Sequence, residues 1–399
     1  MLFVSPEFPW PASSGGRLRT ISLLHCLARH FEIHCVTFAE IQPSKKDREC
    51  LRSLVAELTI LPLRFHRRTK LRRYVRNIGR MLRSVPPLVD RFSESGNRQV
   101  LAGMLANKTD YVWLEHLWLA PFVADIHRAA IKILDAHNVE SDFYRQLRQA
   151  SRHPLDQLGY HVFEKAARRI ERRYLPCFDR ILAVSEEDRG LLARDCPTEK
   201  TFLVPNAVKL SPVPTTEDHN GCNLYFAGRL DYPPNREAVL WFYNQIWPVI
   251  QRRVPEARWS IVGACPELLG ENLQRDTHIL LLGEVEKTDP YLHPSSLVIV
   301  PVSAGGGTRF KILDAWAAGK AVVSTTKGAE GLAARHGDNI WIADNPLEFA
   351  EGVIRLLSDP ALRRALGTGG WETVREQYSW ERLQERLDAA LFGVKMARA

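Results

Sequence analysis

The sequence predicts an α/β protein made of two doubly wound parallel-sheet domains that face each other across a cleft. Short β-rich apolar runs alternate with helical segments along the chain, which is typical of parallel sheets covered by helices. A polar stretch with two prolines, 209–221, interrupts the alternation, which then starts again. A chain of 399 residues is also long for a single hydrophobic core. We therefore expect two domains joined by a linker.

The expected elements follow this order along the chain. In the first half we predict strands at 2–5, 32–38, 58–63, 111–115, 131–136 and 180–185, and helices at 15–30 and 160–175. In the second half we predict strands at 223–228, 258–263, 279–283, 297–302, 321–325 and 340–343, and helices at 236–253, 346–360 and 379–393. The expected boundaries are a first domain at 1–208, the linker at 209–221, a second domain at 222–378 and a C-terminal helical segment at 379–399.

Composition narrows the class of protein. The seven cysteines are scattered and lack Cys-x-x-Cys spacing, which favours a reducing compartment over a disulfide frame or a zinc site. The first 16 residues have no basic leader and are broken by prolines, so we expect no signal peptide. No apolar run reaches the about 18 residues of a membrane span. These features predict a cytoplasmic protein.

A basic segment lies between Arg64 and Val89, with nine Lys or Arg and no acidic residue. Apolar side chains recur in it at helical spacing: Leu71, Tyr74, Val75, Ile78, Met81, Leu82 and Val85. A basic amphipathic helix is suited to lie on an anionic membrane surface. An ordinary solvated helix that packs by its apolar side explains the pattern equally well. We expect no nucleic acid partner, because no stacking platform or nucleic-acid motif accompanies the charge.

A glycine-rich turn between a strand and a helix is the most informative motif. The strand at 297–302 leads into "SAGGGTRFKILDAWAAGKAVVS" (303–324), where apolar residues take helical spacing from Thr308. Glycines let an anion approach the N–H groups of a helix start, at the positive end of the helix dipole. Arg309 and Lys311 would add two positive charges. This combination predicts a phosphate site, although a plain glycine turn with solvated cations is the alternative.

Other residues at expected strand ends fit the same chemistry. Gly15 and Gly16 follow the first strand, and Arg229 follows the first strand of the second half. Arg229 together with the two cations of the glycine-rich turn would suit a diphosphate. Asp314, in the helix after that turn, could accept hydrogen bonds from ribose hydroxyls. The alternative for Asp314 is a pair with a nearby lysine.

Two histidines follow expected strands of the first half, His116 in "LEHLW" and His137 in "DAHNV". Both could reach the cleft, although a lone histidine in a loop is more often structural than catalytic. No Asp-x-Asp motif and no cluster with metal-ligand spacing is found in the sequence. We therefore expect side chains and a helix dipole to neutralise a diphosphate leaving group without a metal.

These motifs resemble those of the retaining, GT-B-fold glycosyltransferases of family four, which take a sugar from a nucleotide diphosphate. The resemblance spans nearly the whole chain and includes "GG" at 15–16, "DAHNVES" at 135–141, "VPNAV" at 204–208, "FAGRLDYPPN" at 226–235, "LGEV" at 282–285 and "GGGTRFKILDAWAAGKAVVSTTKGAEGL" at 305–332. The last block is similar to a subgroup often found in polysaccharide and glycoconjugate clusters. The resemblance also implies that the helix from Ser379 crosses back onto the first domain.

The resemblance places the donor in the second half of the chain. It implies that Arg229 and Lys311 hold the diphosphate, with Arg309 adjacent. It implies that Asp314 binds the ribose and that backbone near Glu284-Val285 binds the nucleobase. The implied activity is retaining hexosyl transfer from a UDP- or GDP-sugar to a glycan, lipid-linked or small-molecule acceptor. No cofactor or metal is implied.

The resemblance gives the first half the reacting end of the site. His116 matches the active-site histidine of the family, His137 matches a second histidine near the sugar, and Gly16 approaches the diphosphate. His116 would orient the sugar or acceptor rather than act as a nucleophile. The complete set of predicted site residues is Gly15, Gly16, His116, His137, Arg229, Glu284, Val285, Gly305, Gly306, Gly307, Thr308, Arg309, Lys311 and Asp314.

The sequence departs from the family pattern at three positions. The first acid of the family's Glu-x7-Glu motif falls on Gly306, and the second is Asp314, one methylene shorter than glutamate. The family's diphosphate lysine after Gly-Arg falls on Asn235. Lys311, with Arg309, would have to replace that lysine.

Two other functions compete with a transferase. A nucleotide-sugar epimerase could use the same two-domain scaffold, but it would need carboxylates near the sugar, and Gly306 replaces one of them. A non-catalytic basic protein could bind lipid or nucleic acid through 64–89. Such a protein would not need Arg309, Lys311 and Asp314 together.

Overall fold

The computed structural model describes residues 1–12, 14–63, 70–92, 95–151, 153–211, 221–285, 287–303 and 310–393. The chain forms two units by contact: one holds Met1–Asn206 with the residues from Leu383 onward, and the other holds Ala207–Arg382. Each unit contains its own sheet, and every described strand pair is parallel. The predicted fold class, two α/β domains built on parallel sheets, is confirmed.

The first unit is built on seven of the described strands. They are β1 (Leu2–Ser5), β2 (His34–Ala39), β3 (Glu57–Pro62), β4 (Tyr111–Glu115), β5 (Ile131–Ala136), β6 (Arg180–Ala183) and β7 (Thr201–Leu203). Their order in the sheet is β3-β2-β1-β4-β5-β6-β7. The order reverses between β1 and β4, and ligands of doubly wound sheets bind beside such a reversal, at the carboxyl ends of the strands.

The helices of the first unit connect these strands. They are α1 (Gly15–Leu27), α2 (Lys45–Arg52), α3 (Lys70–Arg83), α4 (Pro87–Phe92), α5 (Ser95–Ala106), α6 (Glu140–Ala150), α7 (Pro154–Tyr174) and α8 (Glu186–Leu192), with a 3-10 segment at Leu117–Asp125. The hydroxyl oxygens of Ser14, Ser44 and Ser185 accept backbone N–H bonds at the starts of α1, α2 and α8. Such caps satisfy N–H groups that the first helical turn leaves unpaired.

The second unit repeats the plan with a smaller sheet. Its described strands are β8 (Asn223–Ala227), β9 (Arg258–Val262), β10 (Ile279–Gly283), β11 (Leu297–Val300), β12 (Val322–Ser324) and β13 (Trp341–Ile342). They are ordered β10-β9-β8-β11-β12-β13, so the reversal lies between β8 and β11. Its helices are α9 (Pro233–Trp241), α10 (Trp247–Arg253), α11 (Glu271–Gln274), α12 (Asp289–Leu292), α13 (Phe310–Ala317), α14 (Pro346–Ser358) and α15 (Pro360–Thr373).

Prolines explain where the helices differ from prediction. The segment predicted as one helix at 236–253 begins at Pro233, which suits a first helical position because its missing N–H is not needed there. It contains a π-helical turn at Phe242–Ile246, directly before Pro248, whose missing N–H interrupts the helical ladder. Likewise α7 begins at Pro154 rather than at residue 160.

Several elements were not predicted. These are β7, α2, α5, α6, α8, α11, α12 and α15. The basic segment predicted as one helix is α3 followed by α4, because Ser84 has a left-handed φ of 52°. Residues 64–69 of that segment, and residues 212–220 of the predicted linker, lie outside the described residues.

The last helix, α16 (Trp380–Phe392), contacts the first unit through its second half. Phe392 stacks on Phe31 with ring centroids 5.9 Å apart. Asp388 lies 3.0 Å from Nε2 of His30. Residues from Leu383 onward therefore complete the surface of the first unit although they end the chain.

All seven cysteines are free thiols. Among the described helices, none combines the length and the apolar character that crossing a bilayer requires.

Candidate active site

Two carboxylates meet at the carboxyl edge of the first sheet. Glu115 ends β4 and is paired in register with Asp135 on the neighbouring strand β5. Both side chains are fully buried. Since buried charges are costly unless they are paired, the surrounding residues must compensate two negative charges.

Arg19 of α1 compensates Asp135. Its Nε atom donates to Oδ2 of Asp135 at 2.9 Å, and its terminal nitrogen also donates to the same carboxylate. The other terminal nitrogen donates to the backbone oxygen of Val204 and to Oδ1 of Asn206, at 2.9 and 3.0 Å. The Arg19 guanidinium is only 2% exposed. These hydrogen bonds from one guanidinium group fix the end of β5 against α1 and against the end of β7.

Thr20 supplies the neighbouring contact. Its hydroxyl lies 2.9 and 3.0 Å from the two carboxylate oxygens of Glu115 and 3.1 Å from the backbone oxygen of Gly16. Two adjacent residues of α1 thus hold the two buried acids.

His137 lies between the same two acids. Its Nε2 atom is 3.0 Å from Oδ2 of Asp135 and 3.5 Å from Oε1 of Glu115. These are ion-pair contacts, because the Nε2 atom has no hydrogen bond of regular geometry within the described chain. Burial alone would lower the pKa of His137, but Asp135 and Glu115 outweigh burial and raise it to about 9. His137 is therefore an imidazolium at neutral pH.

His116 has the opposite environment. Its ring stacks between His137, with centroids 3.7 Å apart, and Trp118, with centroids 4.1 Å apart. Burial and the positive charges of His137 and Arg19 hold the pKa of His116 well below its usual value, against an opposing effect of Asp135. The two stacked histidines thus differ in charge, one cationic and one neutral.

The backbone of His116 is strained. Its φ of 62° lies in the left-handed region that residues with a side chain seldom adopt. Its Nδ1 atom is buried and has no hydrogen-bond partner among the residues that the structure describes. Strain and an unsatisfied buried nitrogen at the end of a strand are typical of functional positions.

Glu140, at the start of α6, holds Trp118. The indole Nε1 donates to Oε1 of Glu140 at 2.9 Å. Burial and the nearby charge of Glu171 raise the pKa of Glu140 to about 7, against the opposing effects of the indole bond and of His137. The ring that stacks on His116 is therefore fixed from behind by a buried carboxyl group.

Gly15 and Gly16 begin α1 beside this cluster. A Cβ atom built on Gly16 would lie 3.8 Å from Nδ1 of His137 and 3.5 Å from a carboxylate oxygen of Glu7. The missing side chain leaves space next to the imidazolium at the positive end of the helix.

Glu115, Asp135 and His137 have ligand atoms within 4.8 Å of one another, a spacing that could hold a metal ion. Ligand spacing along the sequence did not predict this group, because its members come from the ends of two different strands. The two acids are already bonded by Arg19 and Thr20. We interpret the cluster as a charge-balanced ion network, since a metal would have to displace those donors.

In the second unit, two glycines bring strand ends together. The Gly228 N–H donates to the backbone oxygen of Val262, and the Gly263 N–H donates to that of Gly283. A Cβ atom on Gly263 would overlap the carbonyl oxygen of Gly228. The carboxyl ends of β8 and β9 can therefore approach this closely only because Gly263 lacks a side chain.

Arg229 follows directly on this turn. Its guanidinium forms a two-pronged pair with Asp231, at 3.1 and 2.7 Å, and about half of its side chain is exposed. The bonds to Asp231 raise the pKa of Arg229, with a smaller contribution from Glu284. Arg229 remains cationic and lies at the surface, within reach of a ligand.

Lys311 of α13 reaches the same turn. Its Nζ atom donates to Oδ1 of Asn235 at 2.7 Å and lies 4.6 Å from the ring centre of Phe226 on β8. Asn235 in turn donates to the backbone oxygen of Arg229 at 2.9 Å. The structure thus brings the predicted cations Arg229 and Lys311 to one strand end, joined through Asn235.

Asp314 lies one turn further along α13, and its side chain is partly buried. Burial and the charge of Asp289 raise the pKa of Asp314 to about 7. Burial, together with the charge of Asp314, raises the pKa of Tyr225 on β8. Asp314 therefore lies close enough to Tyr225 on the sheet to influence it.

The structure says less about the other predicted site residues. Glu284 is exposed and Val285 is half-buried, directly after β10. Gly305, Gly306, Gly307, Thr308 and Arg309 lie outside the described residues. The structure therefore gathers His116 and His137 with the start of α1 in the first unit, and Arg229 with Lys311 in the second.

Sequence reasoning missed the residues that support these groups. Arg19, Thr20, Asp135, Trp118 and Glu140 surround the histidines, and Asp231 and Asn235 contact the cations. Asp135 stands in the quoted motif "DAHNVES" beside His137 and was available as a signal. No sequence signal pointed to Arg19, because its partner Asp135 is 116 residues away along the chain.

Comparison with known proteins finds one matching family model and several similar proteins. Residues 221–359 match the family model described as glycosyl transferases group 1. A 44.6 kDa protein in the cps region of Klebsiella pneumoniae is 24% identical over 398 residues, which cover 95% of this chain and 96% of that protein.

Two solved structures are similar over the whole chain. HepE from Anabaena, in complex with UDP, has a TM-score of 0.67 at 13% identity, covering 98% of both chains. TarM from S. aureus, in complex with fondaparinux, alpha-GlcNAc-glycerol and UDP, has a TM-score of 0.69 at 12% identity, covering 98% of this chain and 99% of that chain. At these identities the likeness shows the fold, which is GT-B. The chain therefore has the GT-B fold, and its second unit carries a domain that matches the group 1 glycosyl transferases, similar to the family-four enzymes that its motifs resemble.

Proposed function

We propose that this enzyme transfers a hexosyl group, with retention of configuration, from a nucleoside diphosphate sugar to a glycan, lipid-linked or small-molecule acceptor. The observation that carries the proposal is the arrangement at the end of β8, where Asn235 joins the ammonium of Lys311 to the backbone of Arg229. Cations at the carboxyl end of a strand beside the reversal of a doubly wound sheet suit a diphosphate.

Uridine is the base that we favour over guanosine. HepE has been solved with UDP and with UDP-glucose, and TarM with UDP. In this chain Asp314 would accept hydrogen bonds from the ribose, and backbone near Glu284 and Val285 would bind the base. GDP-sugars are the alternative donors.

The leaving group would be stabilised by side chains, without a metal or another cofactor. Departure of the nucleoside diphosphate builds negative charge, which Arg229, Lys311 and Arg309 would neutralise together with the N–H groups of the Gly305–Gly307 turn. Attack on the same face as the leaving group, assisted by a phosphate oxygen, would retain the configuration. His116 would orient the sugar or the acceptor, and binding in a fixed geometry supplies much of the rate.

A donor screen tests this function. Release of UDP or GDP is measured for a panel of nucleotide sugars with a soluble and a lipid-linked acceptor, with and without EDTA. We expect release from a UDP-sugar that requires an acceptor and survives EDTA, and a product with the anomeric configuration of the donor. Conversion of the nucleotide sugar to its epimer without an acceptor would indicate an epimerase instead.

The possibility of a lipid-linked acceptor raises the question of where the enzyme is located. We propose a cytoplasmic enzyme that binds the anionic inner face of a membrane through residues 64–89. In support, Ile78 and Leu82 of α3 are 55% and 83% exposed. Leu155 and Leu158, at the start of α7, are also exposed, and α7 packs on α3 near Met81. Asp90 moderates the charge, because it pairs with Arg80 and Arg83.

Liposome flotation tests the location. We expect the protein to float with vesicles that contain phosphatidylserine, and to float less after Leu82→Asp or after charge reversal at Arg72, Arg73 and Arg76. Leu347→Asp is the matched control, since Leu347 is 66% exposed but lies in the second unit. Flotation that is unchanged by charge reversal would overturn the membrane proposal and leave the transferase proposal intact.

A further inference from the structure

We propose that Asn235 is a positioning residue that holds the Lys311 ammonium at the end of β8 and so places the cation that binds the donor diphosphate. The inference rests on the proposed function, since it takes Lys311 to be a diphosphate ligand. The family pattern puts a lysine at the position of Asn235. We infer that in this chain the cation comes from α13, and that residue 235 orients it.

The geometry of Lys311 supports this division of roles. A lysine side chain is flexible, and fixing it in one conformation costs rotamer entropy. Here Nζ donates to Oδ1 of Asn235 at 2.7 Å and lies over the ring of Phe226. Asn235 and the Phe226 ring are both neutral, so neither of these two contacts neutralises the ammonium.

Asn235 is itself held in place. Its Nδ2 atom donates to the backbone oxygen of Arg229 at 2.9 Å, while its Oδ1 atom accepts from Lys311. The side-chain amide is therefore used in only one orientation, with the oxygen toward the ammonium. Asn235 also lies in the first turn of α9, after two prolines that fix the backbone.

Gly228 provides the space for this pair. A Cβ atom on Gly228 would lie 2.8 Å from Nδ2 of Asn235 and 3.1 Å from Nζ of Lys311. The first distance is shorter than real Cβ contacts and the second is tighter than most of them, so a side chain here would push the pair away from the strand end. The glycine of the Gly-Arg motif thus serves the placement of Lys311.

Charge explains why asparagine suits position 235. A lysine here would bring a second ammonium group close to that of Lys311, and the two charges would repel. An aspartate would attract Lys311 but would compete with the diphosphate for it. Asparagine accepts a hydrogen bond without a charge, so the family's lysine and Lys311 are alternatives rather than partners.

A double-mutant cycle tests the inference. The dissociation constants of UDP, GDP and uridine are measured by calorimetry for wild type, Asn235→Ala, Lys311→Met and the double variant. We expect Lys311→Met to weaken UDP binding by about 10- to 100-fold, as for loss of a charged hydrogen bond. We expect Asn235→Ala to weaken it by about 3- to 10-fold and to add almost nothing in the Lys311→Met background. Uridine lacks phosphate, so its binding should not change.

The conservative variant Asn235→Asp separates positioning from folding. An acidic residue in the first turn of a helix favours the helix, so the melting temperature of this variant should hold or rise. Its UDP affinity should nevertheless fall at least as far as that of Asn235→Ala. Asn244→Ala and Lys209→Met are matched controls at exposed positions of the same unit and should bind UDP like wild type.

The outcomes distinguish this inference from the proposed function. If wild type binds neither UDP nor GDP, or if Lys311→Met binds both like wild type, the diphosphate site fails and the inference fails with it. If Lys311→Met weakens binding but Asn235→Ala does not, only the role of Asn235 is overturned. Losses that simply multiply in the double variant would also overturn it, because Asn235 would then act independently of Lys311.

Discussion

The Nε2 atom of His137 lies 3.0 Å from Oδ2 of Asp135 in a buried pair at the end of two strands. Arg19 bonds the same carboxylate, and Glu115 contacts the same imidazole nitrogen. With His137 protonated, two positive and two negative charges balance. A neutral His137 would leave one negative charge buried without compensation, which is costly. Charge balance and the neighbouring carboxylates thus favour the same ionisation state.

Replacing Asp135 by asparagine should lower the pKa of His137. The variant removes the strongest influence that raises this pKa, so burial should bring it down toward or below its usual value. The variant also leaves Arg19 without its carboxylate, and we expect a loss of about 3–5 kcal/mol in the free energy of unfolding. The titration of the His137 ring is followed by NMR and the free energy by urea unfolding.

Asp156→Asn is the control for that variant, because Asp156 lies in the first turn of α7 and, among the described residues, forms no ion pair with His116 or His137. It should leave the His137 titration unchanged. If Asp135→Asn proves too unstable for NMR, Thr20→Val tests the same network, since it removes the hydroxyl that donates to Glu115. A His137 pKa that is unaffected by either variant would contradict the ion network.

Stability should fall in alkaline solution because of His137. Its pKa is raised to about 9 in the folded state, against 6.5 for an unperturbed histidine. A raised folded pKa stabilises the protein fully below about pH 6.5, and the contribution of about 3 kcal/mol disappears as pH rises through 9. We expect unfolding free energies to show this loss between pH 7 and 10.

The His137→Gln variant isolates this effect from other titrating groups. It should be less stable than wild type at pH 7, and the difference between the two proteins should shrink by pH 10. His153→Gln, at an exposed position before α7 with no capping bond, should follow the wild-type pH profile. A constant difference between His137→Gln and wild type from pH 6 to 10 would show that His137 is not charged.

The fold could be predicted from the sequence because its signals are local. Apolar strands such as 111–115 and 131–136 match β4 and β5 residue for residue. Where the prediction failed, the element usually had a local sequence signal, but that signal was weak. The helix α2, for example, is highly charged and has a single buried residue, Leu51, so it gives little apolar periodicity.

The candidate site could be predicted only in part. The two histidines and Arg229 follow strand ends, which a parallel sheet places at one edge, so their positions followed from the fold. Their supporting partners did not. Arg17 and Arg19 look alike in the sequence, yet Arg17 pairs with Glu7 at the surface and Arg19 is buried on Asp135. Which arginine is buried depends on packing across distant segments, and sequence periodicity does not contain that information.

Glu140→Gln should stabilise the protein above neutral pH. Burial raises the pKa of Glu140 to about 7 from the usual 4.5. A raised carboxyl pKa means that stability falls as pH rises from about 4.5 through 7, at a cost of about 3 kcal/mol above that range. Glutamine keeps an oxygen that accepts from Trp118 and cannot ionise.

The measurement is urea unfolding at pH 5 and pH 8. We expect the variant to equal wild type within about 1 kcal/mol at pH 5 and to exceed it at pH 8. Glu32→Gln, at an exposed position of the same unit, should change neither value. A variant that is less stable than wild type at pH 8 would indicate that Glu140 is ionised and stabilising in the native state.

Gly263→Ala should damage the turn that carries Arg229. The new Cβ atom would overlap the carbonyl oxygen of Gly228, which is backbone and cannot rotate away. The ends of β8 and β9 must then separate, and we expect a loss of about 1–3 kcal/mol, as for overpacking, together with weaker UDP binding. Gly103→Ala is the control: Gly103 lies in α5 with open space around it and should gain about 0.5–1 kcal/mol. Urea unfolding and calorimetry compare the two variants. If Gly263→Ala were as stable as wild type and bound UDP equally well, the close approach of the two strand ends would not be needed for the site.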